Sequence, residues 1–148
     1  KDTILQSIDV ARNLKPATTI SVIECSSIYQ ANEVIKEHED IQLIITDLNM
    51  PMRGLRKELR SQTQNGFLTG WVWFVDKVSQ NPRFKKTNII VFSEYIGLLK
   101  NTYGNEEHLN RRYGGKKRKI ALISKLGYEK DCIIKTLGHK ISDFMEAK

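Results

Sequence analysis

Two short stretches constrain this chain more than anything else in it. Residues 41–46 (IQLIIT) and 88–92 (NIIVF) are almost wholly apolar, and each stops abruptly at a polar residue, Asp47 and Ser93. A strand with one face in water alternates apolar and polar residues. A strand covered on both faces, as in a parallel sheet, does not. Amphipathic helical patterns surround both runs. Ile4, Ile8, Ala11 and Leu14 recur at spacings of four, three and three, which predicts a helix over 1–14 closed by Pro16. Ser26 and Ser27 can cap a helix running to about His38 that turns Ile28, Ala31, Val34 and Ile35 inward. The stretch 71–78 reads as a well-buried helix with one of Trp71 and Trp73 exposed. Leu137, Ile141, Phe144 and Met145 predict a final amphipathic helix.

The remaining segments are read the same way. Residues 19–25 predict a short strand, with Ile20 and Val22 on one face. Residues 95–119 are polar and carry Gly104, Gly114 and Gly115, which predicts a long loop. Ile120, Ile123 and Leu126 predict a helix closed by Gly127, and residues 132–134 a strand ending at Lys135. Strands alternating with helices imply an α/β fold, a doubly wound parallel sheet with helices on both faces.

Composition narrows the function classes. With 148 residues, 40% hydrophobic and 28% charged, the chain is the size of one domain with a core of its own. No apolar run approaches the roughly 20 residues of a membrane span. Cys25 and Cys132 make no disulfide framework, so a reducing cytoplasm is the expected setting. His38, His108 and His139 lack metal-ligand spacing. The net charge of +7 is concentrated: residues 52–69 carry +3 and residues 95–119 carry +5, leaving the rest at −1. Arg111, Arg112 and Lys116 to Lys119, with Tyr103 and Tyr113 nearby, form the densest basic cluster, which suits a phosphate backbone or an acidic partner. A solvated insertion is the favoured reading.

Ligands of open α/β sheets gather at the carboxyl ends of the strands. Asp47, Ser93 and Lys135 each follow a predicted strand, so all three are expected in one crevice. A carboxylate, a hydroxyl and an ammonium together suit phosphoryl chemistry. The carboxylate is a nucleophile for phosphorus, the ammonium neutralises phosphoryl oxygens, and the hydroxyl hydrogen-bonds one of them. A magnesium ion is expected to screen the carboxylate from the phosphate.

The stretch IIT-Asp47-LNMP resembles the acceptor-strand motif of response-regulator receiver domains of two-component signalling. Gly70 is similar to the glycine at the start of their third helix, IIVF-Ser93 to their fourth strand with its switch hydroxyl, and SKLGYEKDCII-Lys135 to the fourth helix, fifth strand and signature lysine. The resemblance covers the chain apart from basic insertions at about 52–69 and 95–119. It implies a flavodoxin-like sheet with strand order 2-1-3-4-5. It implies Asp47 as phosphoacceptor and metal ligand, Asn49 as a backbone-carbonyl ligand of Mg2+, Ser93 as the switch residue, and Lys135 as partner of the acceptor carboxylate. A sensor histidine kinase or phosphotransfer protein is the implied donor and a downstream output protein the implied target. A dimer is compatible with it, and conventional enzymatic activity is not expected beyond slow self-dephosphorylation.

Three departures stand out. The family's first strand, which ends in a metal-binding acidic pair, is missing, and Asp2 is a poor substitute. About ten further upstream residues, one strand and its flanks, are expected to supply it; a strand swapped from another chain or a degenerate receiver are the alternatives. Thr136 follows Lys135 where the family has proline. Cys132 stands where the family has its switch aromatic. The competing function is a pseudo-receiver that binds a protein or nucleic acid through its basic loops.

Overall fold

The computed structural model describes residues 2–145; expectations attached to Lys1 lie outside them. The chain divides into two compact units, one formed by Glu24–Ser124 and the other by the segments that flank it.

The larger unit is built on a parallel sheet of three strands, β1 (Leu43–Thr46), β2 (Asn88–Ser93) and β3 (Ile120–Ser124), in the order β1-β2-β3. Leu43 is level with Asn88 and Thr46 with Val91; Ile89 is level with Ile120 and Ser93 with Ser124. Every residue of β2 is buried, the environment that its unbroken apolar run calls for. The one polar side chain at its start, Asn88, accepts the backbone N–H of Lys119 at 2.7 Å.

The predicted helix after Ser27 is present as α2 (Ile28–Glu37), and the Ser27 hydroxyl accepts the N–H of Gln30 at 3.1 Å. The buried helix is α3 (Thr69–Phe74), which continues as a π-helical turn over Val75–Ser79. Both tryptophans are buried, Trp71 at 1% and Trp73 at 4% exposure, where one was expected outside. All six residues of α3 are buried, so it has no solvent side on which to place an indole. Trp73 Nε1 donates to Asn32 Oδ1 at 2.8 Å, and Trp71 meets Tyr113 edge to face, ring centroids 5.5 Å apart.

The expected loop over 95–119 is largely helical: α4 (Ile96–Tyr103), α5 (Glu106–Leu109) and a π-helical turn over Asn110–Gly114. Of its sparse aliphatic residues, Ile96, Leu99 and Leu109 are buried and Leu98 is half-buried. Gly104, at φ +121°, closes α4, and Asn105 Oδ1 then accepts the His108 N–H to start α5. The expected helix over 120–126 is instead strand β3. Ile120, Ala121 and Ile123 are buried together, on both faces of the strand, which a helical stripe would not require.

The smaller unit pairs α1 (Asp2–Leu14) with α6 (Lys130–Phe144). Ser7, Ile8 and Ala11 of α1 and Leu137, Ile141 and Phe144 of α6 are buried. Gly138 permits the close approach: a Cβ there would run into Val10 and the Ser7 carbonyl. Lys15 Nζ donates to the Ser142 carbonyl at 2.8 Å. The strand expected over 132–134 does not form; these residues lie in the first turns of α6, because Ile133, Leu137 and Ile141 continue one helical stripe. The strand expected over 19–25 is also absent, and that segment joins no ladder. Cys25 and Cys132 are both free and exposed. Among the described residues no helix is long and apolar enough to cross a membrane.

The architecture is therefore mixed α/β around a small, open, three-stranded parallel sheet.

Candidate functional site

The chain leaves β1 at Thr46 and is immediately fixed. Thr46 Oγ1 donates to the Asp47 carbonyl at 2.7 Å, and Asp47 Oδ1 accepts the Leu48 N–H at 2.6 Å. Leu48 is fully buried, and its carbonyl accepts the N–H of Gly70 at 3.1 Å. Gly70 lies directly against the Asp47 carbonyl; any Cβ there would overlap that oxygen. The backbone around Asp47 is thus clamped between its own strand and the first turn of α3. Its side chain remains partly exposed, and Asn49 is exposed.

The approach to α3 is unusual. Gln64, Asn65 and Gly66 have φ of 52°, 61° and 92°, three successive left-handed residues. Such conformations cost free energy for residues with a side chain and persist only when their surroundings enforce them. Two threonines do so here. The fully buried Thr63 accepts the Gly66 N–H at 2.9 Å, and Thr69 Oγ1 donates to the Gly66 carbonyl at 2.8 Å.

Ser93 ends β2, is fully buried, and its Oγ accepts the N–H of Tyr95 at 3.1 Å. The Tyr95 ring packs on Phe67 with centroids 4.9 Å apart. The segment after β2 therefore touches the segment before α3.

Asp47 and Ser93 consequently lie at the carboxyl ends of neighbouring parallel strands. With Thr46 level with Val91, Asp47 follows one residue short of the level of Ser93. Lys135 is not at a strand end. It is an exposed residue of α6, in the other unit. The residue that directly follows β3 is Lys125, which, like Lys135, is assigned to the smaller unit. Its sequence signal is IALIS-Lys125, an apolar run ending in a polar residue like the other two, which the helical spacing of Ile120, Ile123 and Leu126 masks.

For a hard cation, Asp47 offers a carboxylate and Asn49 a backbone carbonyl. Mg2+ keeps several waters and is held through one or two carboxylates plus phosphate oxygens, and Asp47 is one partly exposed carboxylate of that kind. Among the described residues no group of three or more His, Cys, Asp or Glu side chains converges as a metal site.

Comparison of the chain with protein-family models, with curated proteins and with solved structures returned no match.

Proposed function

We propose that the chain is a receiver-type signalling module in which Asp47 accepts a phosphoryl group from a phosphohistidine of a sensor kinase or phosphotransfer protein. The observation that carries this reading is the placement of Asp47 and Ser93 at the carboxyl ends of adjacent parallel strands. The clamp of Gly70 on the Asp47 backbone supports it. On this reading β1, β2 and β3 correspond to the third, fourth and fifth strands of a flavodoxin-like order.

A carboxylate oxygen of Asp47 forms the new O–P bond as the P–N bond of the donor breaks, and the imidazole nitrogen leaves with the electron pair. Mg2+, held by Asp47 and the Asn49 carbonyl, would neutralise the charge that accumulates. A hydroxyl both accepts and donates. Ser93 can therefore keep its bond from Tyr95 while donating to a phosphoryl oxygen. Any movement of Ser93 would reach Phe67 through Tyr95. A new phosphoryl charge biases a two-state element in this way. The module is a switch rather than a conventional enzyme.

Acetyl phosphate tests the reading. Magnesium-dependent addition of one phosphoryl group, mapped to Asp47 by peptide mass spectrometry and lost in Asp47→Asn, is the expected outcome. Labelling that persists in Asp47→Asn, or none in the wild-type chain, would sink it. The exposed cluster of Arg111, Arg112, Lys116 and Lys117 favours a second reading, a pseudo-receiver that binds an anionic partner constitutively.

A further inference from the structure

At the opposite end of the sheet, away from Asp47 and Ser93, the larger unit holds a cleft of about 270 Å³. It lies where the chain enters β2 and β3, one strand length or roughly 20 Å from the carboxyl ends. Arg118, 5% exposed, lines it, and Lys85, Lys116 and Lys117 stand around it.

Among the described residues the Arg118 guanidinium has no carboxylate partner. Nε donates to the Thr87 carbonyl at 2.9 Å. Nη1 donates to the carbonyls of Tyr113 at 3.0 Å and Ser79 at 3.3 Å. Nη2 donates to those of Phe84 at 2.6 Å and Val78 at 3.3 Å. The group also lies over the Phe74 ring, 5.2 Å from its centroid. Its donors are satisfied, but its charge is compensated only by dipoles. Burial pushes its pKa down, as expected for a cation taken out of water. Lys85, Lys116 and Lys117 are exposed, and among the described residues none of them makes an ion pair. Gly115, at φ +60° with open space around its Cα, turns the chain so that both lysines after it border the cleft.

Four cations thus border one concave site. The field of the buried one is the least screened by water. Complementarity calls for a multiply charged anion. The volume falls just below the 300–1,000 Å³ or so that drug-sized ligands occupy, so the anion is small. Lysines bind phosphate as point charges and adapt to its position. We propose that this cleft binds a short oligophosphate, either free or as the tail of a nucleotide. The site shares no residue with the Asp47 centre and does not depend on the function proposed for it.

Calorimetric titration of the full chain with tripolyphosphate and with ATP, at low and at physiological ionic strength, tests the inference. Saturable one-to-one binding that weakens with salt is expected, with a loss of about tenfold in a Lys116→Ala/Lys117→Ala double variant. Both lysines are exposed, so the variant should keep its fold, checked by circular dichroism. A Lys57→Ala/Arg60→Ala variant in the other basic segment should bind like wild type. ATP binding more tightly than tripolyphosphate identifies a nucleotide as the source, and equal affinity identifies the bare phosphate chain. Absence of saturable binding overturns the inference, as does affinity unchanged in the Lys116/Lys117 variant or equally lost in the Lys57/Arg60 variant. Duplex DNA that binds the chain and is not displaced by tripolyphosphate would also overturn it, in favour of nucleic acid.

Discussion

Asp47 is positioned less by its own side chain than by the missing side chain of Gly70. The carbonyl of Asp47 occupies the space that a Cβ at position 70 would need, and the Gly70 N–H closes the contact through Leu48. A urea melt reads the strength of this arrangement. Gly70→Ala should lower stability by roughly 1–3 kcal/mol, the usual cost of forcing a methylene into packed surroundings, and should reduce acceptance of phosphate at Asp47. A variant as stable as wild type would show that the segment can move aside. A second residue ties stability to pH. Tyr103 donates its hydroxyl to the Gln62 carbonyl at 2.7 Å, and burial, aided by nearby Tyr113, pushes its pKa up. The folded state holds this proton more tightly than the unfolded chain. The contribution is therefore complete below about pH 10, where free tyrosine ionises, and is lost as the pH climbs through the raised value. Tyr103→Phe should flatten that part of the stability–pH curve, measured by urea melts at successive alkaline pH values.

Among the elements, those with one unmistakable pattern are legible in the amino-acid sequence. The runs at 41–46 and 88–92 hold β1, which starts at Leu43, and β2, which extends to Ser93, Ser27 caps α2, and the final apolar stripe faces inward. Asp47 and Ser93 fall at strand ends for the same reason. The differences share a physical cause, a pattern too short or too dilute to separate two periods. Ile120, Ile123 and Leu126 fit a helical spacing, yet Ala121 and Leu122 between the first two are apolar as well, and pairing with β2 decides for a strand. The run Cys132-Ile-Ile looks extended until the spacing from Ile133 to Leu137 is followed into α6. In 95–119, abundant Lys, Arg and Asn hide three buried apolar anchors. The placement of β3 puts Lys125 directly after a strand and leaves Lys135 on a helix.

Over the whole molecule, charge and topology are distributed unevenly. The basic residues cluster around the connections of the larger unit, and one of them, Arg118, is drawn inside it, so a count of charges alone overstates what is offered to solvent. The sheet imposes a further condition. Its strands are all parallel, and the residues that pair lie roughly 45 apart for β1 with β2 and 31 apart for β2 with β3. No hairpin can nucleate it. The chain must close two long loops before the ladder returns any stabilisation, and α2 and α4 can form locally long before that. Refolding from urea should therefore be slow for a chain of this length, on the order of milliseconds to seconds, with helical circular dichroism recovering ahead of the fluorescence of the buried Trp71 and Trp73. Until the central strand is seated, its six apolar-rich residues are exposed as an unpaired, aggregation-prone segment, so the yield of native protein should fall as the refolding concentration rises.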